Sequence, residues 1–457
     1  MSWLRRRLTR AGSTIAVLLG VAGTMTALGG ASPASALAAE CTAGTFTGTG
    51  SALQSVAQKE IWIPSFCSAG STLRYTPSYT SSGSGPGLLA WRFTGGATAI
   101  ETSYQFIGTD DAPTAAQISH ARESAGNAQV VVVPVAQTAI SIVVNPPANC
   151  TVTRITNAQL EEVFRGKKET WEGIGAGAGC TGTITRVVRS EGSGTTFQFK
   201  NYLNAINGGV LCGGKTWAQT EPIVGSGGPN VEWPECGKMA PETASGSGAV
   251  AETVKSMSGR IGYAALPDVK ARGASAIEVQ NGISGGKNTF APPGTEEAEG
   301  KGNANCKNAL YDVPAQAQTT GTGLDVDWSG VFGGNPTIGS GYSICALTYI
   351  LAWDNYVTAG FVTEEAETTG VNVKEYAQVI VEGSLGTSKR WYAALPEAAE
   401  ATRNVADAAK YAAGQIGKGG TGLHSYRCRK VDAGTGIYND STCSELAGTS
   451  EWIRETL

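Results

Sequence analysis

Histidine is nearly missing from this chain of 457 residues; only His120 and His424 occur. A Ser–His–Asp hydrolase or a histidine-based metal centre would have to be built on one of them. Charge is sparse as well. Charged residues make up 16% of the chain and apolar ones 41%, a globular balance that excludes a disordered chain. None of the ten cysteines stands in a C-x-x-C pair, which argues against zinc. Beyond the first forty residues no run is long and apolar enough to span a bilayer. Glycine is what abounds, 62 residues against 18 prolines, and it serves turns and close backbone approaches.

The N-terminus reads as a secretory leader over residues 1–38. Arg5, Arg6, Arg7 and Arg10 form a basic start, an apolar stretch follows, and ASALA offers small residues at cleavage spacing near Ala36 or Ala38. The RRRLTR start loosely fits twin-arginine export. A membrane anchor is the alternative. Ala39-Glu40 before Cys41 disfavours a lipid anchor there, so a secreted, extracellular or periplasmic protein is expected. The leader carries four arginines and no acid, so its removal moves the net charge from −4 to −8. Such an acidic chain is a poor nucleic-acid binder, although local donors can still hold an anion. An even cysteine count in an exported chain implies disulfides. Sequential pairing would close five local loops, from Cys41–Cys67 to Cys428–Cys443, with Cys306–Cys345 the least secure.

Short β-branched runs alternate with amphipathic stretches from Cys41 to Lys418. QVVVVPVAQ and ISIVVNP read as buried strands and TNAQLEEVFRG as a helix, with a capping box at Thr156 and Gln159 and a stop at Gly166. ITRVVR and RIGYAAL read as strands, and TTFQFKNYLNAI, GAVAETVKSM and EAAEATRNVADAAKYAAGQI as helices. The alternation predicts an α/β fold with parallel-rich sheets. Residues near 270–325 read as looped, and 419–457 as a small disulfide-tied appendage.

Four segments share one design, a small polar or Gly-rich turn that runs directly into a helix: 47–62, 81–91, 107–125 and 187–203. A helix N-terminus carries unpaired N–H groups and partial positive charge, and hydroxyls add further donors. Any one such turn is usually a cap. Several converging turns could wrap a tetrahedral oxyanion. The fourth is sharper, because GSGTT opens a helix straight after a strand ending in Arg189. That guanidinium can fork onto an anion, and Glu191, two residues on, can fix its direction. A surface salt bridge is the plain alternative.

The stretch VVRSEGSGTTFQFKNYL resembles that of the phosphate-binding proteins serving the Pst-type ABC transporter. TGTGSALQ, SSGSGPG, IGTDDAPT, ITNAQLEEVFRGKKETWEGI, VEWP, GSGAVAETVKSMSGRIGYAAL, DVDWS and WYAALPEA agree in order, over about residues 44–415. The resemblance implies a two-lobed periplasmic-binding-protein-like fold of type II, hinged by crossing strands near 140–146 and 335–346. Lobe one would be 39–139 plus 341–418, and lobe two 140–340. It implies Ser84, Asp111, Arg189, Ser193, Gly194 and Thr195 as phosphate ligands, with Glu191 as the acid paired to the arginine. At the first loop the usual hydroxyl position falls on Ala52, with Ser51 just before it, so the backbone amides of Ala52 and Leu53 are the expected donors there.

An aspartate beside the anion favours phosphate over sulfate, since a carboxylate can accept the O–H of protonated phosphate and sulfate has none at neutral pH. Asp111 is the preferred ligand with Asp110 as a helix cap; the reverse register stays open. The resulting expectation is a monomeric, non-enzymatic binder of inorganic phosphate that serves ABC permease subunits, with no cofactor, metal or nucleic acid. The alternatives are a binder of another tetrahedral oxyanion, a secreted phosphate-ester hydrolase, or a module that keeps the fold and has lost the site.

Overall fold

The computed structural model describes residues 41–418, apart from 42–43, 69–74, 96–97, 175–179, 221–231, 298–300, 319–320, 383–389 and 398–403, together with three short strands beyond them. The leader lies outside the described residues.

The strands, in chain order, are β1 (Thr45–Gly50), β2 (Thr76–Thr80), β3 (Phe106–Thr109), β4 (Val130–Asn145), β5 (Arg154–Ile155), β6 (Thr185–Arg189), β7 (Glu242–Ala244), β8 (Arg260–Ala265), β9 (Ala276–Ser284), β10 (Lys287–Ala291), β11 (Gly294–Glu296), β12 (Gly302–Ala304), β13 (Gly333–Gly334) and β14 (Ile344–Trp353). One large mixed sheet runs β2-β1-β3-β14-β4-β8-β6-β7. β1 lies parallel to β2 and β3, and β6 lies parallel to β7 and β8.

The two apolar runs QVVVVPVAQ and ISIVVNP form one strand, β4. Residues 130–139 pair antiparallel with β14, and residues 140–145 pair with β8 on the other half of the sheet. β4 therefore belongs to both halves. Pro134 sits at a register shift opposite Tyr349, where a residue without an N–H interrupts the ladder at least cost. β14 is buried throughout, and β4 up to its last residue. That burial is why both read as continuous apolar runs rather than alternating ones. Each fully buried Val or Ile contributes about 1.5–3 kcal/mol.

The segment expected to be looped instead carries regular structure. Helix Leu266–Arg272 leads into β9, and β9 and β10 form a hairpin closed by Gly285 and Gly286. Both glycines have positive φ, 56° and 76°, as a two-residue hairpin turn requires. The high glycine content there marks a tight turn between strands. The capping box at Thr156 and Gln159 is present on helix Asn157–Phe164. The late helix spans Val405–Ala413 from an Asn404 cap, and residues 398–403 of that stretch lie outside the described residues.

Four disulfides join neighbouring cysteines in sequence: Cys41–Cys67, Cys150–Cys180, Cys212–Cys236 and Cys306–Cys345. Each closes a loop of tens of residues and stabilises by about 3–4 kcal/mol, chiefly by restricting the unfolded chain. In the C-terminal stretch the strands Arg427–Lys430, Asp440–Thr442 and Trp452–Glu455 form an antiparallel sheet. The Cys428–Cys443 pairing falls outside the described residues. No helix among the described residues is long and apolar enough to cross a membrane.

Candidate anion-binding site

Strands β1, β2, β3 and β6 deliver the four turns that the sequence singles out. β1 ends at Gly50, where a Cβ would stand 2.0 Å from the Gly108 carbonyl oxygen, so only glycine lets β1 and β3 close up there. Ser51 follows, its amide donating to that same carbonyl at 2.8 Å. Its hydroxyl oxygen accepts the Leu53 amide at 3.0 Å and so caps the turn Ala52–Gln54. The Leu53 amide, expected to face an anion, is thus engaged by Ser51. Ala52 is buried beside it. The first loop still supplies a hydroxyl, from Ser51 instead of position 52.

That hydroxyl donates to Asp110 Oδ1. Ser84, at the start of helix Ser84–Ala90 behind Gly83, donates to the same oxygen at 3.0 Å. Thr195, in the first turn of helix Gly194–Ile206, donates to Asp110 Oδ2 at 2.9 Å. Gln198, one helical turn on, donates its amide to the Asp110 carbonyl at 2.9 Å. All these groups are buried. Ser193 caps the helix by accepting the Thr196 amide at 3.2 Å. Gly194 presses its backbone on Asp110, so that a Cβ there would lie 2.7 Å from Asp110 Cγ.

The structure therefore brings Ser51, Ser84, Gly194 and Thr195 together around Asp110, the residue expected only to support. Asp110 does not cap helix Ala115–Ser124; Thr114 does, in a complete capping box with Gln117. None of the three hydroxyls bonds Asp111. Its amide donates to Thr109 Oγ1 at 3.0 Å, and that hydroxyl donates back to the Asp111 carbonyl at 2.7 Å. The Asp111 side chain is buried, and Oδ2 has no hydrogen-bond partner among the described residues. Burial, and then the Asp110 charge, push the Asp111 carboxyl up to about 8. Burial also raises Asp110, opposed by the bonds from Ser51, Thr195 and Ser84 and by the Arg189 charge.

Arg189 closes β6 and is 1% exposed. Glu191 accepts its Nε at 2.7 Å and its Nη2, and is itself held by the Gly246 amide at 2.9 Å. Nη1 is buried with no hydrogen-bond partner among the described residues. The Tyr263 hydroxyl accepts the Arg189 amide at 3.3 Å and pairs with Thr196 Oγ1 at 2.6 Å. Tyr263 packs against Phe199 and Trp233 with ring centroids 4.7 and 5.7 Å apart, which fixes helix Gly194–Ile206 against β8.

Sequence reasoning missed Asp268, a half-buried residue whose carboxyl is pushed up to about 6 by desolvation and pulled down by the Arg189 charge, foremost among opposing groups. It follows Pro267 in the first turn of helix Leu266–Arg272. There it reads as an ordinary helix-start acid, so no sequence signal tied it to Arg189. Gln198 and Tyr263 were missed for the same reason, since each reads as part of an amphipathic element. Among the described residues no group of three or more His, Cys, Asp or Glu could hold a metal ion.

Comparison with known proteins agrees with this architecture. A curated phosphate-binding protein from an unknown prokaryotic organism is 28% identical over 296 residues, which span 62% of this chain and 76% of that protein. A high-affinity periplasmic phosphate-binding protein solved with phosphate is 22% identical, over 77% of this chain and 91% of that one, with a TM-score of 0.55. A human phosphate-binding apolipoprotein is also 22% identical over the same shares, with a TM-score of 0.56. At these identities the structural likenesses establish the fold. Residues 35–316 match the family model of the PBP superfamily domain, and the chain belongs to that superfamily.

Proposed function

We propose that this protein captures inorganic phosphate outside the cytoplasm and presents it to the permease of an ABC-type uptake system, without chemistry of its own. The observation that carries the reading is the buried Arg189, whose Nη1 is unpartnered while Glu191 holds the rest of the guanidinium in place. The Arg189 charge acts on Asp110, around which the Ser51, Ser84 and Thr195 hydroxyls and the N-terminal turn of helix Gly194–Ile206 gather. A guanidinium, three hydroxyls and a helix N-terminus at one place suit a small multiply charged oxyanion. The same groups offer little to catalysis. The site hydroxyls bond a carboxylate, and His120 bonds the Arg92 carbonyl on another element.

The lobes of the proposal are residues 39–139 plus 341–418 and residues 140–340, divided along β4. The split pairing of β4, with β14 through 139 and with β8 from 140, supports that boundary. Four disulfides and the superfamily support an oxidising, extracytoplasmic setting.

Isothermal titration calorimetry of the metal-free protein against phosphate and sulfate tests the reading. Saturable phosphate heat at one site per chain is expected, with weaker sulfate binding. Tighter sulfate binding, or turnover of a phosphate ester, would overturn it.

A further inference from the structure

We propose that Asp110 is a built-in competitor for the ligand: its carboxylate takes the hydroxyl donors that an incoming oxyanion needs, and capture requires its displacement. This inference rests on the phosphate-binding reading and adds what controls access to that site.

The reasoning is a count of protons. A hydroxyl carries one hydrogen and can donate it once. Ser51 and Ser84 donate theirs to Asp110 Oδ1, and Thr195 donates to Oδ2. The three donors come from three turns far apart in sequence, and all of them converge on this one carboxylate. Asp110 is also wedged against the first residue of helix Gly194–Ile206, where the aligned amides favour negative charge. An aspartate placed here has the surroundings of a bound anion. It satisfies buried hydroxyls that would otherwise lack acceptors.

The substitute is incomplete. A carboxylate offers two oxygens on a short tether, and Arg189 Nη1 remains without a hydrogen-bond partner. A tetrahedral dianion brings four oxygens and a second charge, so it can engage the three hydroxyls and the guanidinium together. Asp110 thereby discriminates as well as competes. A simple carboxylate or a monoanion gains too little to displace it, while a phosphate dianion gains the additional arginine contact.

Asp110 also bridges two regions of the chain. Thr195 and Gln198, on the helix after β6, both bond it, and the nearby Gly85 amide donates to the Gly192 carbonyl at 3.1 Å. Displacing Asp110 therefore loosens one inter-segment link as phosphate forms its own. When the competent state is a minority, apparent affinity falls by its fractional population.

The test is calorimetry with inorganic phosphate on the wild type, Asp110→Ser and Asp110→Asn, with circular dichroism and thermal unfolding confirming each fold. Asp110→Ser is expected to bind phosphate at least about tenfold more tightly, as expected when a competing state is removed. Asp110→Asn, which keeps the shape and loses the charge, should shift the same way by less, and it decides the matter if the serine variant fails to fold. Both variants should also show a larger rise in Tm on adding phosphate. Phosphate binding confined to the variants would support the competitor role most strongly. Wild-type binding that both variants weaken or leave unchanged overturns the competitor role and leaves the phosphate-binding reading standing. No phosphate heat from any of the three overturns the binding reading itself and this inference with it.

Discussion

The turn after β6 and the turn after β3 carry the same kind of chemistry and are built in opposite ways. After β6 the partners are local. Arg189 is held by Glu191 two residues away, and Ser193 caps its own helix. After β3 the partners are remote. Asp110 is bonded by Ser51, Ser84, Thr195 and Gln198, which lie between 26 and 88 residues away. A local arrangement is written in the sequence as a spacing. A remote one exists only once the sheet has brought the strand ends together.

The sharpest way to break this contrast is Arg189→Ala. The β6 turn would lose its charge donor, leaving Glu191 without its counter-charge and Asp268 with only the Arg272 and Lys59 charges to oppose its burial. Phosphate affinity should fall by about 3 kcal/mol or more, roughly a hundredfold, since breaking a buried charged contact costs this much. Calorimetry reads this, and an unchanged affinity would mean that the anion sits elsewhere.

A smaller effect is expected from Gly194→Ala, which attacks the contact between the two turns. The new Cβ would meet the Asp110 carbonyl carbon and the Asp111 amide nitrogen at 2.7 Å, both fixed backbone atoms, as well as Asp110 Cγ. Overpacking of this kind costs about 1–3 kcal/mol, so Tm should drop and phosphate binding should weaken with it. A variant as stable as the wild type would show that the turns are free to move apart.

Legibility followed the same division. The Arg189–Glu191 pair, the Ser193–Thr195 turn and the capping box at Thr156 could be read directly, because each lies within a few residues. Choosing between Asp110 and Asp111 could not be settled that way. Adjacent residues in a turn point different ways, and only the positions of Ser51, Ser84 and Thr195 decide which carboxylate meets them. Strand β4 was legible as two apolar runs but not as one strand, since Thr138 and Ala139 between the runs read as an interruption until their pairing with Ala346 and Cys345 is seen. The β9–β10 hairpin was hidden by its composition, where Gly285-Gly286 among polar residues suggested a loop.

Two pH effects sharpen the contrast between the adjacent aspartates. Asp111 is pushed up to about 8, so below that pH it is mostly protonated and can donate to any oxyanion. Above it, the carboxylate repels sulfate, while protonated phosphate can still offer its O–H. The preference for phosphate over sulfate should therefore widen between pH 6.5 and 9, checked by competition calorimetry at about those two values. A preference independent of pH would remove Asp111 from the selectivity.

The same raised carboxyl bears on folding. The native protein holds this proton more tightly than the unfolded chain, so its contribution to stability is complete below the unfolded value near 3.8 and is lost as pH rises through about 8. Asp111→Asn should accordingly raise Tm relative to wild type at pH near 9, and much less at pH near 4, by an amount that differential scanning calorimetry resolves. An equal shift at both values would show that the carboxyl titrates normally.

The most direct measurement is a crystal structure of the protein grown with inorganic phosphate near neutral pH. Tetrahedral density is expected within hydrogen-bond reach of the Ser51, Ser84 and Thr195 hydroxyls and of Arg189 Nη1, with the Asp110 carboxylate rotated away from them. Asp110 still holding all three hydroxyls in saturating phosphate, with the anion bound elsewhere or not at all, would contradict it.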